Sequence, residues 1–201
     1  MMSPELVALA AHDLKNALGG LETELVQLER DPNTAQVRRA RATCEQLRRE
    51  MVAFLTLYRG DSLRALVEDE SPRELLASMC GSGPGEVVVS LGAFERAPPF
   101  WYYDPRLVRL ALDAALHNAR RFARSRIVLD AEQRHDRLVL SIDDDGPGLS
   151  ASAGAGDAWS TGLGTELCRE VARAHRLEGR HGEVRLFDRP QGGSRFELIL
   201  P

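Results

Sequence analysis

Ile142-Asp143-Asp144-Asp145-Gly146-Pro147-Gly148-Leu149 follows directly on Leu138-Val139-Leu140-Ser141, an apolar run with the character of a strand. The stretch ends that strand and opens a glycine-rich segment. An acid at this point can accept a hydrogen bond from an exocyclic amine, and the glycines let a flat base approach the backbone. Taken alone, Asp-Gly-Pro-Gly is also the composition of an ordinary turn.

Upstream, Ile127-Val128-Leu129 and Leu138 to Ile142 flank the polar turn Gln133-Arg134-His135-Asp136, which predicts a hairpin. Asp104-Pro105 starts a helix expected to run to about Phe122. Val87-Val88-Val89 and Trp101-Tyr102-Tyr103 are strand-like. Downstream, a helix is expected from about Leu163 to Ala174. Val184 to Phe187 and Arg195 to Leu200 then enclose Pro190-Gln191-Gly192-Gly193. Ser71-Pro72-Arg73-Glu74 reads as a capping box and sets the start of this domain, 71–201. The fold class is α+β, with helices on one face of a mixed sheet.

The N-terminal region has a different period. Ser3-Pro4-Glu5 has the order of a helix start. Val7, Ala11, Leu14, Leu18, Leu21, Leu25 and Leu28 then alternate steps of four and three, the spacing of a coiled-coil seam that continues through Gly19-Gly20. After the turn Asp31-Pro32-Asn33, Val37, Cys44, Leu47, Met51, Phe54 and Tyr58 share a face of a second helix. Residues 1–60 therefore read as an antiparallel hairpin, with 60–70 as a linker. A hairpin is too thin to bury both seams. Either a second copy completes a four-helix bundle, making a homodimer, or the hairpin packs on its own C-terminal domain.

At 201 residues, 43% hydrophobic and 28% charged, the chain has room for one ordinary domain or two small ones. Its 30 acids outnumber 26 bases, and Lys15 is the only lysine, so nucleic acid is not the expected partner. Cys44, Cys80 and Cys168 are too widely spaced for a zinc site and read as buried thiols in a reducing compartment. No apolar run approaches the roughly 18 residues of a membrane span, and no signal pattern opens the chain. A cytoplasmic protein with no membrane partner is expected.

Gly162-Leu163-Gly164 stands at a helix start, where free amides favour phosphate oxygens. Asn118, within His117-Asn118-Ala119-Arg120-Arg121-Phe122, offers an amide oxygen suited to Mg²⁺, and Arg121 a guanidinium suited to phosphate. Each signal also has a plain reading, as a turn or as a helix end with solvated arginines. In order and spacing, however, they resemble the catalytic core of sensor histidine kinases, whose ATP-binding domain is of the GHKL or Bergerat type shared with Hsp90, DNA gyrase and MutL. Leu112 to Ala119 is similar to that family's asparagine box, Ile142 to Leu149 to its first glycine box, Thr161-Gly162-Leu163-Gly164 to its second, and Gly192 to Pro201 to its last strand.

The resemblance implies that Asn118 holds Mg²⁺, Asp144 reads the adenine amine of ATP and Arg121 contacts phosphate. Phe122 would lie beside the nucleotide, with Gly146, Gly148, Gly162 and Gly164 shaping the pocket. It also makes Ala11-His12-Asp13-Leu14-Lys15-Asn16-Ala17-Leu18 a phosphoacceptor box, with His12 the nucleophile. His12 falls one position off the seam, where its imidazole can face a phosphoryl donor. Asp13 can orient the ring, and Asn16 can position water for the reverse dephosphorylation. The remaining histidines, His117, His135, His175 and His181, read as structural or surface residues.

Two functions follow from the resemblance. One is a two-component kinase that autophosphorylates His12 and passes the group to an aspartate of a response regulator receiver domain. The other is a histidine phosphotransferase that relays phosphate between receivers without ATP. Ala114 one turn before Asn118, the small-residue segment from Leu149 to Thr161, and Ser160 before the second glycine box are the departures that favour the second. An adaptor that binds through the bundle without phosphotransfer is the third reading, of another class.

Overall fold

The computed structural model describes residues 4–58, 63–80, 87–149 and 163–201. The chain divides into two compact units, Met1–Ser62 with Ser160–Leu167, and Leu63–Trp159 with Cys168–Pro201.

The first unit is built on α1 (Pro4–Arg30) and α2 (Thr34–Tyr58). Asn33 caps α2, its side-chain oxygen accepting from the Gln36 amide at 2.9 Å, which satisfies a donor the helix itself cannot. Helix α1 runs unbroken through Gly19 and Gly20. Its seam divides by sevens: Val7, Leu14, Leu21 and Leu28 are half-buried, whereas Ala11, Leu18 and Leu25 are exposed. The face expected on α2 needs correction. Leu47 and Phe54 are half-buried, but Val37, Cys44, Met51 and Tyr58 are exposed, and the buried residues are Ala40, Ala53 and Leu57. The two alanines carried too little apolar contrast to be picked out by spacing.

The second unit opens earlier than expected. Within the stretch read as a linker, β1 (Glu68–Glu70) pairs antiparallel with β3 (Trp101–Tyr103). Helix α3 (Pro72–Met79) follows, capped by Ser71 with Glu74 in its first turn. Strand β2 (Val88–Leu91) pairs parallel with β4 (Arg126–Arg134). Strand β4 turns at His135-Asp136 into β5 (Arg137–Asp144). Helix α5 (Leu163–Ala174) precedes a ribbon of β6 (Arg176–Leu177) and β7 (Arg180–His181), then β8 (Glu183–Asp188) and β9 (Ser194–Leu200). The main sheet has the order β2-β4-β5-β9-β8, antiparallel except at β2.

Helix α4 (Pro105–Phe122) and α3 pack on one face of this sheet. There Leu129, Leu138, Leu140, Ile142, Leu198 and Leu200 meet Val108, Leu112 and Leu76, all essentially without exposure. Each such side chain contributes about 1.5–3 kcal/mol by burial. The opposite face is polar and laced with ion pairs: Arg195 to Asp143, Arg134 to Glu132 and Glu197, and Arg137 to Glu183.

The start of α4 is fixed from the interior. Asp104, fully buried, caps the helix by accepting from the Arg106 and Leu107 amides and also accepts from the Leu66 amide. Burial pushes its carboxyl up, but these hydrogen bonds and Arg106 outweigh it and hold the group below the usual value. His175 accepts from the Asp104 amide through Nε2 at 3.0 Å and donates from Nδ1 to the Val171 carbonyl at 2.8 Å, the tautomer those partners require. Burial lowers its pKa. The cysteines are not uniformly buried as expected: Cys44 is exposed, Cys80 intermediate and Cys168 buried. Burial pushes the Cys168 thiol up to about 12.

Candidate nucleotide-binding and phosphoacceptor sites

Asp144 is the last residue of the central strand β5, with only 4% of the residue exposed. A carboxylate this buried needs partners. Its Oδ1 accepts from the Gly146 amide at 2.8 Å and the Ser194 amide at 3.2 Å, and its Oδ2 accepts from the Ser194 hydroxyl. These three donors fix the rotamer and leave room on Oδ2 for one further donor.

The next residue has another task. Asp145 turns to the end of α4 and accepts from the Arg124 and Ser125 amides at 2.8 and 3.1 Å and from the Ser125 hydroxyl at 2.6 Å. Burial raises its carboxyl, yet these hydrogen bonds prevail and hold it far below the ordinary range. Two adjacent acids thus split their roles, Asp144 at the end of the central strand and Asp145 closing the helix-to-strand turn.

Close backbone approach explains the glycines. A Cβ on Gly146 would lie 2.5 Å from the Phe122 carbonyl oxygen. One on Gly148, whose φ is +86°, would meet the Asp188 carboxylate at 2.7 Å. Gly193, at φ +81°, stands where a Cβ would be 1.9 Å from the Asp144 carbonyl oxygen. The end of β5 is therefore pressed between the end of α4 and the β8–β9 turn, and only glycine fits at these crossings.

Helix α4 supplies the other candidates. Asn118 and Phe122 lie one turn apart and are half-buried. The Asn118 amide makes no side-chain hydrogen bond with the described residues. Arg121 is exposed, with its guanidinium 5.5 Å from the centre of the Phe122 ring. The structure thus gathers Asp144, Gly146, Gly148 and Phe122 and sets Asn118 one turn up the same helix. Among the described residues no group of three or more His, Cys, Asp or Glu is arranged to hold a metal. Gly164 is in the first turn of α5; Gly162 lies outside the described residues.

In the first unit His12 and Asn16 are exposed on α1, one turn apart. The Asn16 amide nitrogen is 3.3 Å from both ring nitrogens of His12. Asp13 lies between them on the helix.

Sequence reasoning passed over Ser194 and Arg189. Ser194 sat inside the range Gly192 to Pro201, where a hydroxyl directly after paired glycines was the available signal. Arg189 carried none.

Comparison with known proteins agrees with this architecture. The family model for "Histidine kinase-, DNA gyrase B-, and HSP90-like ATPase" matches residues 103–201. The sensor histidine kinase CpxA of Escherichia coli K12 is 24% identical over 98% of this chain, which spans 46% of that relative's length. The alginate biosynthesis sensor protein KinB of Pseudomonas aeruginosa is 27% identical over 49% of the chain and 18% of its own. Among solved structures, the Acinetobacter baumannii histidine kinase AdeS aligns over 94% of this chain and 96% of its own with a TM-score of 0.63 at 18% identity. The histidine kinase ThkA, solved in complex with response regulator protein TrrA, aligns over 98% and 61% with a TM-score of 0.66 at 15% identity. Residues 103–201 thus belong to the histidine kinase-, DNA gyrase B- and HSP90-like ATPases, and the chain as a whole is similar to the core of sensor histidine kinases.

Proposed function

We propose that this chain is the ATP-dependent histidine kinase of a two-component system. Residues 71–201 bind ATP with Mg²⁺, and residues 1–60 dimerise and carry the acceptor, His12. A lone pair on the His12 ring attacks the γ-phosphorus, the bond to the bridging oxygen breaks with its electrons going to ADP, and the imidazolium releases one proton. The phosphoryl group then passes to an aspartate of a response regulator receiver domain in the cytoplasm.

The observation that carries this reading is Asp144, a buried side chain oriented by Gly146 and Ser194 with acceptor capacity to spare. That chemistry suits the exocyclic amine of adenine. Asn118 fits Mg²⁺ because its half-buried amide has no competing side-chain hydrogen bond among the described residues; Mg²⁺ would supply charge neutralisation for the phosphates. Arg121 and Phe122 extend from the same helix end toward phosphate and base. Gly162 and Gly164 would serve the phosphates from the segment leading into α5. On α1, Asn16 sits against the His12 ring, in position to steer it or a hydrolytic water, and Asp13 would enhance its basicity. Exposed Leu18, Leu25, Val37, Met51 and Tyr58 on the hairpin support a second copy as partner.

Incubation with radiolabelled ATP and Mg²⁺ tests the reading. Acid-labile label on the chain is expected, and it should vanish in both His12→Ala and Asn118→Ala. A folded chain that takes no label from ATP but accepts it on His12 from a phosphorylated receiver would be a phosphotransferase instead, and the proposal would be wrong.

A further inference from the structure

The turn between β8 and β9 does more than join two strands. Its last ladder pair is Asp188 with Ser194. The Arg189 amide donates to the Gly193 carbonyl and the Gly192 amide to the Arg189 carbonyl, both at 3.0 Å, so the turn is closed on itself. From this fixed base the Arg189 side chain reaches back across the sheet, and its Nη1 donates to the backbone carbonyl of Asp144 at 3.0 Å. Its Nε lies 3.5 Å from the carboxylate of Asp143.

Asp143 is also occupied. It accepts from Nε and Nη2 of Arg195, both at 2.6 Å, a bidentate clamp from the neighbouring strand. Because side chains alternate along a strand, Asp143 and Asp144 serve opposite faces of β5. Arg189 touches both residues. It binds the carbonyl of one and faces the carboxylate of the other.

We infer that Arg189 is a positioning residue for adenine recognition, bracing the Asp144 carbonyl from the polar face of the sheet so that its carboxylate meets the exocyclic amine in register. This rests on the reading of Asp144 given above. The carboxylate is already oriented by Gly146 and Ser194, but those partners lie on its own loop and on β9. Movement of the β5 end would carry Gly146 with it; Ser194 holds the carboxylate to the start of β9, and Arg189 adds a second tie by anchoring the carbonyl to the turn. The close packing of Gly193 on the same carbonyl leaves the turn little freedom of its own.

Calorimetric titration of the full chain with Mg-ADP and Mg-IDP tests the inference, since inosine presents an oxygen where adenine presents the amine. The wild type is expected to prefer ADP. Arg189→Ala should weaken ADP binding about tenfold, the effect of losing one charge-assisted hydrogen bond, with IDP nearly unchanged, so that base preference collapses. Arg189→Lys should recover part of that preference and provides the test if the alanine variant does not fold. Arg185→Ala, which removes a guanidinium paired with Glu183 on the same face, should alter neither ligand. An equal loss for ADP and IDP, or an unchanged preference in the folded Arg189 variants, overturns the positioning role. A wild type that binds neither nucleotide overturns the Asp144 reading and this inference with it, an outcome recognisable before any variant is made.

Discussion

The two units solve the problem of burial differently. In the α/β unit β5 is shielded along seven of its eight residues, with the helices on one side and a lattice of carboxylates and guanidinium groups on the other. In the hairpin α1 has every second seam position exposed, and α2 buries only Ala40, Ala53 and Leu57. The first arrangement is complete within one chain. The second has an apolar stripe, Leu18, Leu25, Val37, Met51 and Tyr58, that one chain leaves in water. One fold can thus carry a unit that closes its own core and another that leaves large apolar side chains exposed, and burial along each helix distinguishes them.

The contrast can be broken at several points. Leu112→Ala removes a fully buried side chain of α4 and should cost about 2–5 kcal/mol in the α/β unit, read by denaturant titration on Trp101 fluorescence, without changing the oligomeric state. Leu18→Glu with Leu25→Glu should do the reverse, destabilising a dimer by roughly 1–3 kcal/mol or more per buried charge while leaving the Trp101 transition in place. A dimer by sedimentation that survives these changes unaltered would mean that the exposed stripe is not its interface.

Acid should act on the complete unit. The His175 pKa is lowered in the fold, so the unfolded chain binds the proton more readily below the ordinary value of 6.5. Stability from this group is present above that value and falls as pH drops toward the folded pKa, with a slope of at most about 1.4 kcal/mol per pH unit. Denaturation curves between pH 5 and pH 7 for the wild type and His175→Gln should diverge accordingly. The smallest effect belongs to the hairpin. A Cβ at Gly20 meets nothing within 4 Å, so Gly20→Ala should stabilise α1 by about 0.5–1 kcal/mol, seen as a higher Tm for the helical signal.

What the sequence disclosed follows the range over which it acts. The cap at Asp104-Pro105, the β4–β5 hairpin and the helix from Leu163 are local, and the structure places them where the patterns predict. The α2 stripe was misjudged because small alanines occupy the shielded positions while larger apolar residues stay outside. Strand β1, Glu68-Asp69-Glu70, has no apolar residue and forms through backbone pairing with β3. The position of Asp144 at a strand end was legible from the run before it and the glycines after it. Its partners were not: Ser194 lies 50 residues away and Arg189 lies 45 away, brought there by the register of β9 and by a turn that no local period encodes.

That separation sets a clock. Strand β9 lies between β5 and β8 in the sheet, so on the ribosome Asp144 emerges without the strand that supplies its hydroxyl and amide donors. At about 5–20 residues per second, the 50 residues between them take about 3–10 s to make. Helices α1 and α2 are by then long synthesised, so each nascent chain displays His12 well before the partners that hold Asp144 exist.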